Sequence, residues 1–94
     1  MTKKKYYRTK TEILTQFLQA ACVHNGISTT HLMYNTFVPH TQVKEYVGLL
    51  AQNELLDYDL TTRTYKVTEK GMKALDSYKE LQQLTNANTE FKLV

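Results

Sequence analysis

Only one cysteine, Cys22, occurs among the 94 residues, so no disulfide can close within the chain. That usage fits an intracellular, reducing compartment, and the neighbours Phe17, Leu18 and Ala21 lead us to expect Cys22 as a small buried hydrophobe. No apolar run approaches the length of a transmembrane helix, and Lys3 to Lys5 are followed by polar residues where a signal peptide needs an apolar stretch. A soluble, unprocessed, cytoplasmic protein with no membrane partner is expected. Catalytic signatures are missing as well: there is no nucleophile elbow, phosphate loop or zinc-protease motif. Cys22, His24, His31 and His40 lack the paired spacing of a structural zinc site, and Asp57 and Asp59 read as strand-edge charges. The chain is therefore expected not to be an enzyme, and to need no metal, cofactor or small-molecule substrate.

The length leaves room for one domain with one small core, a size at which a second copy helps to shield apolar surface. The net charge of +3 is mild, but it is unevenly placed. Lys3, Lys4, Lys5, Arg8 and Lys10 all precede the first acidic residue, Glu12, and the remainder is slightly acidic on balance. Residues 1–10 thus form a basic arm, suited to neutralising phosphates or simply solvated as a tail.

Apolar spacing orders the rest. Ile13, Leu14, Phe17, Leu18 and Ala21 recur at helical intervals and predict a helix from Thr11 to Val23, stopped by His24-Asn25-Gly26. Ser28 or Thr29 can cap a short helix over Thr29 to Asn35. Pro39 suits a first helical position, so a third helix begins there or one residue later and runs to Gln52, with Val43, Tyr46, Val47 and Leu50 on one face. Alternation then takes over, with Leu56, Tyr58 and Leu60 set against Tyr65 and Val67, which predicts a hairpin with one covered face and a loop longer than two residues. Thr68 caps a last helix carrying Met72, Leu75, Tyr78, Leu81 and Leu84, a slanting apolar surface wider than so small a domain covers by itself. This helix is expected over 68–85, followed by an 86–94 tail with little helix signal, whose Phe91, Leu93 and Val94 either dock on a neighbour or fray.

Helix, helix, turn, helix and hairpin in that order are the parts of a winged helix-turn-helix, an α+β, mainly helical fold of three helices and a two-stranded wing, here over 11–67 with a C-terminal dimerisation helix. The local signatures point the same way. Tyr7-Arg8-Thr9-Lys10-Thr11-Glu12-Ile13, Leu32-Met33-Tyr34, Gln42-Val43-Lys44-Glu45-Tyr46-Val47, Asn53-Glu54-Leu55-Leu56-Asp57-Tyr58 and Thr64-Tyr65-Lys66-Val67-Thr68-Glu69-Lys70-Gly71 follow one another at fitting distances. In that order they resemble the archaeal winged-helix family of the Sulfolobus small dimeric DNA-binding proteins and archaellum-regulator-like domains. The resemblance implies double-stranded DNA binding by a homodimer joined through its C-terminal helices, as a transcriptional regulator or a small nucleoid-associated protein. It departs at Thr29, His31 and Asn35, where relatives often carry Lys or Arg, and at Pro39 and His40, where they often carry Ser and Tyr.

The candidate DNA contacts are Thr29, Thr30, His40, Thr41, Gln42, Lys44 and Arg63, with Lys3, Lys4, Lys5, Arg8 and Lys10 in the arm. Gln42 is the best base reader, because its amide donates and accepts at once against an adenine edge, although a plain surface glutamine looks the same in sequence. Lys44 suits a phosphate or an acid on its own helix, and Arg63 suits the backbone, a narrow groove or bulk solvent. Glu45 repels phosphate from the same side. Met72, Leu75, Tyr78, Leu81 and Leu84 are the candidate dimer contacts, and Tyr34, Tyr46, Tyr58 and Tyr65 are expected on inward faces, packing rather than stacking on bases. The rival reading is a protein-interaction module that kept the fold without the DNA surface.

Overall fold

The computed structural model describes residues 8–92, with side chains described as far as Leu84. In chain order it holds α1 (Lys10–Ala20), α2 (Thr29–Thr36), α3 (His40–Gln52), β1 (Leu56–Asp59), β2 (Thr64–Val67) and α4 (Glu69–Lys92). The expected α+β, mainly helical winged architecture is what forms.

Thr9 and Glu12 open α1 by reciprocal capping: the Glu12 N–H donates to Thr9 Oγ1 at 3.0 Å and the Thr9 N–H to Glu12 Oε1 at 2.8 Å. The helix ends at Ala20, short of the expected Val23. A distant strand explains the early stop, because Ile27 exchanges backbone hydrogen bonds with Tyr65, at 2.9 Å and 2.7 Å, and the chain must leave the helix in time to reach it. Gly26, at φ 83°, makes that turn, and a side chain there would meet Thr64 Oγ1 at 2.6 Å.

Ser28 caps α2 by accepting from the His31 N–H at 3.1 Å. Phe37 closes the helix in the left-handed region at φ 57°, donating its N–H to Met33 O at 2.9 Å. Val38 is buried beneath this turn, and Pro39 stands at the N-cap of α3 as its fixed φ favours. Val43, Val47 and Leu50 turn inward from α3, while Tyr46 meets Phe17 edge-on with ring centroids 5.8 Å apart. The core is one cluster centred on Phe17, Leu32, Val43, Leu56 and Leu75.

β1 and β2 pair antiparallel, with Leu56 opposite Val67 and Tyr58 opposite Tyr65. The covered face is narrower than expected, since Leu56 is buried but Tyr58 and Leu60 are exposed toward the wing tip.

The start of α4 is clamped onto the turn between α3 and β1. Thr68 Oγ1 donates to Glu54 O at 2.7 Å and accepts from the Gly71 N–H at 2.9 Å, and Lys70 Nζ donates to Asn53 O at 3.0 Å. Gly71 is required by this approach, because a Cβ would collide with the Leu55 carbonyl oxygen and Val67 Cγ2. The helix then continues to Lys92, past the expected end at residue 85, through a stretch without Gly or Pro to break it.

Candidate nucleic-acid interface

Burial of Val43, Val47 and Leu50 fixes the rotation of α3. Thr41, Gln42, Lys44, Glu45, Gly48 and Gln52 are left exposed on its outer side. No residue of the chain's own wing or arm is hydrogen-bonded to these side chains among the described contacts. Pro39 offers no side-chain cap, so the first-turn amides beside exposed His40, Thr41 and Gln42 keep their donors without a capping side chain. Such an end favours negative charge.

At the start of α2, Thr30 is exposed and Thr29 half-buried. The nearby hydroxyl of Ser28 is already occupied in capping, and His31 Nδ1 lies 3.3 Å from it. The wing tip is held by Asp59. Its Oδ1 accepts from the Thr61 N–H at 2.9 Å and the Thr62 N–H at 3.4 Å, while its carbonyl accepts from the Arg63 N–H at 2.6 Å. Asp59 is thus a loop organiser rather than a plain edge charge, and it leaves Arg63 exposed at φ 57°.

The arm divides. Lys3, Lys4 and Lys5 lie outside the described residues, while Lys10 opens α1 and is exposed beside α3, where it and Lys44 line one groove of about 400 Å³. Arg8, expected on phosphate, is used by the fold itself: Nη1 donates to the Thr36 carbonyl and to Gln16 Oε1, each at 2.6 Å. The C-terminal carbonyls of α2 carry partial negative charge and attract the guanidinium.

On α4 the expected apolar row does not form one open face. Each step of three residues falls about 60° short of a full turn, so the row winds around the helix. Leu75 is 4 % exposed, inside the core, and Tyr78 is half-buried. Met72, Leu81 and Leu84 are exposed. Leu75, Tyr78 and Leu81 join Leu14, Leu18 and Leu55 along an almost wholly apolar groove of about 360 Å³ between α1 and α4.

Other expectations need correction. Cys22 is exposed, because the helix has already ended, and its thiol donates to Leu18 O at 3.3 Å with Met72 Sδ 3.7 Å away. Tyr34 is 65 % exposed rather than inward, lying two residues, about 200° of helix, from buried Leu32. Tyr58 is also exposed, its ring tilted 51° to that of Tyr65 with centroids 4.8 Å apart, and the Tyr65 hydroxyl is pushed above its ordinary pKa by burial first and by Tyr58 second. Tyr46 and Tyr65 are half-buried as anticipated. The apolar exposure of Phe37, at 85 %, had no signal in the sequence.

Among the described residues no group of His, Cys, Asp or Glu could hold a metal ion, and no helix is long and apolar enough to cross a membrane.

A family profile described as winged helix-turn-helix matches residues 7–86, and the chain belongs to that family. Comparison with curated proteins gave no match.

Proposed function

We propose that this protein binds double-stranded DNA as a homodimer, with α3 in the major groove and the wing on the backbone. The observation that carries the reading is the open outer side of α3, where Thr41, Gln42 and Lys44 stand exposed next to a helix start without a side-chain cap. Gln42 is the base reader, Lys44 and Arg63 hold phosphates, and His40, Thr41, Thr29 and Thr30 border the contact. Lys3, Lys4, Lys5 and Lys10 add sequence-independent attraction. Binding without catalysis, in the cytoplasm and in association with the nucleoid, follows from that role. An archaeal source and a regulatory or architectural duty accord with the family resemblance.

Dimerisation is supported by the apolar groove between α1 and α4 together with exposed Met72, Leu81 and Leu84. A second α4 is the economical cover for them.

The rival is a protein-interaction module, and a specific observation favours it: Tyr34 and Phe37 are large, exposed and close in sequence at the end of α2. Charge reversal separates the two. Lys44→Glu with Arg63→Glu should abolish retardation of a duplex in a mobility-shift assay across a salt series; unaltered duplex binding by that double variant would sink the docking through α3 and the wing, and no retardation by the unmodified chain would sink the DNA reading. Selection on random duplexes then distinguishes regulator from nucleoid protein, a recovered motif indicating regulation.

A further inference from the structure

Gly48 occupies the middle of α3, yet nothing among the described residues explains it. A Cβ there would meet no atom of the described residues within 4 Å apart from the helix's own adjacent backbone, its φ is not positive, and the position is exposed. Glycine weakens a helix interior through backbone entropy, so alanine would fit this site better as far as the folded chain is concerned. The missing side chain leaves room for something outside the molecule. Gly48 shares the outer side of α3 with Lys44 and Gln52, one turn to either side, and all three line the groove into which Lys10 of α1 also projects. Glu45 lines it as well and opposes an anion.

Resting on the DNA-binding reading above, we propose that this groove is the seat of one sugar–phosphate strand of the duplex, which crosses α3 at Gly48 between the ammonium groups of Lys10 and Lys44. The two lysines provide charge complementary to consecutive phosphates, and Gly48 lets the backbone approach closer than a methyl group would allow. Gln52 donates to the same strand through its amide. Gly48 is a positioning residue, setting how deeply α3 sits. The wing contact at Arg63 falls on a separate part of the surface, so the two contacts can be tested apart.

The test measures the affinity of the full chain for a fluorescently labelled mixed-sequence duplex at several salt concentrations, together with the thermal midpoint of each variant. Gly48→Ala should raise the midpoint and weaken binding about tenfold, since the added methyl stabilises the helix while pushing the strand away. Lys10→Gln and Lys44→Gln should each lower the slope of log affinity against log salt by about one, while Lys79→Gln on α4 leaves it unchanged. Gly48→Ala binding as tightly as the unmodified chain, or an unchanged slope for Lys10→Gln, overturns the groove assignment. If Arg63→Gln still weakens binding in that event, the DNA reading survives without it. Absence of any salt-dependent duplex binding by the unmodified chain removes both.

Discussion

The guanidinium of Arg8 donates to the main-chain oxygen of Thr36, across 28 positions of sequence, and so ties the segment before α1 to the last turn of α2. The same Nη1 reaches Gln16 Oε1, and one side chain thereby joins three elements. Arg8→Ala should lower stability by about 1 kcal/mol, the discounted worth of a charge-assisted bond at a partly exposed site. Arg8→Lys should recover less than half of that, because a single ammonium lacks the planar fork. Urea unfolding measures both. A loss of duplex affinity with unchanged unfolding would return Arg8 to the phosphate-binding arm.

Gly71 and Leu55 set the angle at which α4 leaves the wing. Alanine has the better helix propensity, yet Gly71→Ala places a methyl group against the Leu55 carbonyl oxygen and Val67 Cγ2, both held by the sheet and the Thr68 cap. The overpacking should cost about 1–3 kcal/mol and exceed the propensity gain. Thermal unfolding should therefore show opposite shifts for Gly71→Ala and Gly48→Ala, the same substitution in two helices.

Leu75 and Leu84 belong to one helix but to different environments. Leu75→Ala should destabilise the chain by about 2–5 kcal/mol, as a core truncation does. Leu84→Ala should change the unfolding of the isolated chain by under about 0.5 kcal/mol. If α4 joins two copies, Leu81→Glu and Leu84→Glu together shift the sedimenting species to the monomer while circular dichroism stays helical. A dimer that persists in that variant places the contact elsewhere.

How much of this was legible beforehand depends on whether the cause was local. Ser28, Pro39 and Thr68 announce helix starts by side-chain chemistry within a turn, and α2, α3 and the start of α4 fall where those residues put them. The early end of α1 was not legible, because its cause is the pairing of Ile27 with Tyr65, a contact without local signature. Exposure of Cys22 follows from that end. Arg8 was hidden for a similar reason, its acceptor being a carbonyl brought near only by packing. Leu75 lies in the core rather than at a dimer contact, and a spacing of three does not tell which member of a winding row meets the domain. Of the candidate site, the α3 residues were readable as those left over from the buried face. Gly48 was also left over there, and only the empty space around it gives it meaning.

Tyr65 carries a pH dependence. Its hydroxyl is held above the ordinary tyrosine pKa, by burial and then by Tyr58, so in alkali the unfolded chain loses this proton before the folded one does. Stability is therefore level below the unfolded value near 10.0, falls as pH rises from there through the folded value, and flattens beyond it. Tyr65→Phe should remove this part of the alkaline loss, and tyrosinate absorbance should show one late-titrating ring absent from that variant. An alkaline unfolding profile identical for both proteins would assign the loss to other groups.

Arg63 shows how the wing tip joins stability to recognition. Its backbone lies at φ 57°, where a side chain costs about 1 kcal/mol and glycine costs little. The loop enforces that geometry, since the Asp59 carbonyl accepts the Arg63 N–H while the Asp59 side chain accepts from Thr61 and Thr62. Arg63→Gly should therefore raise stability by about 0.5–1 kcal/mol in urea unfolding. If the guanidinium holds phosphate, the same change should weaken duplex binding and lower the salt slope by about one. Asp59→Ala gives the complementary case: the arginine is kept but its support is lost, so stability should fall by about 1 kcal/mol and affinity should drop with a smaller change in slope. Equal duplex affinity for Arg63→Gly and the unmodified chain would mean that the strain at this residue serves the loop alone.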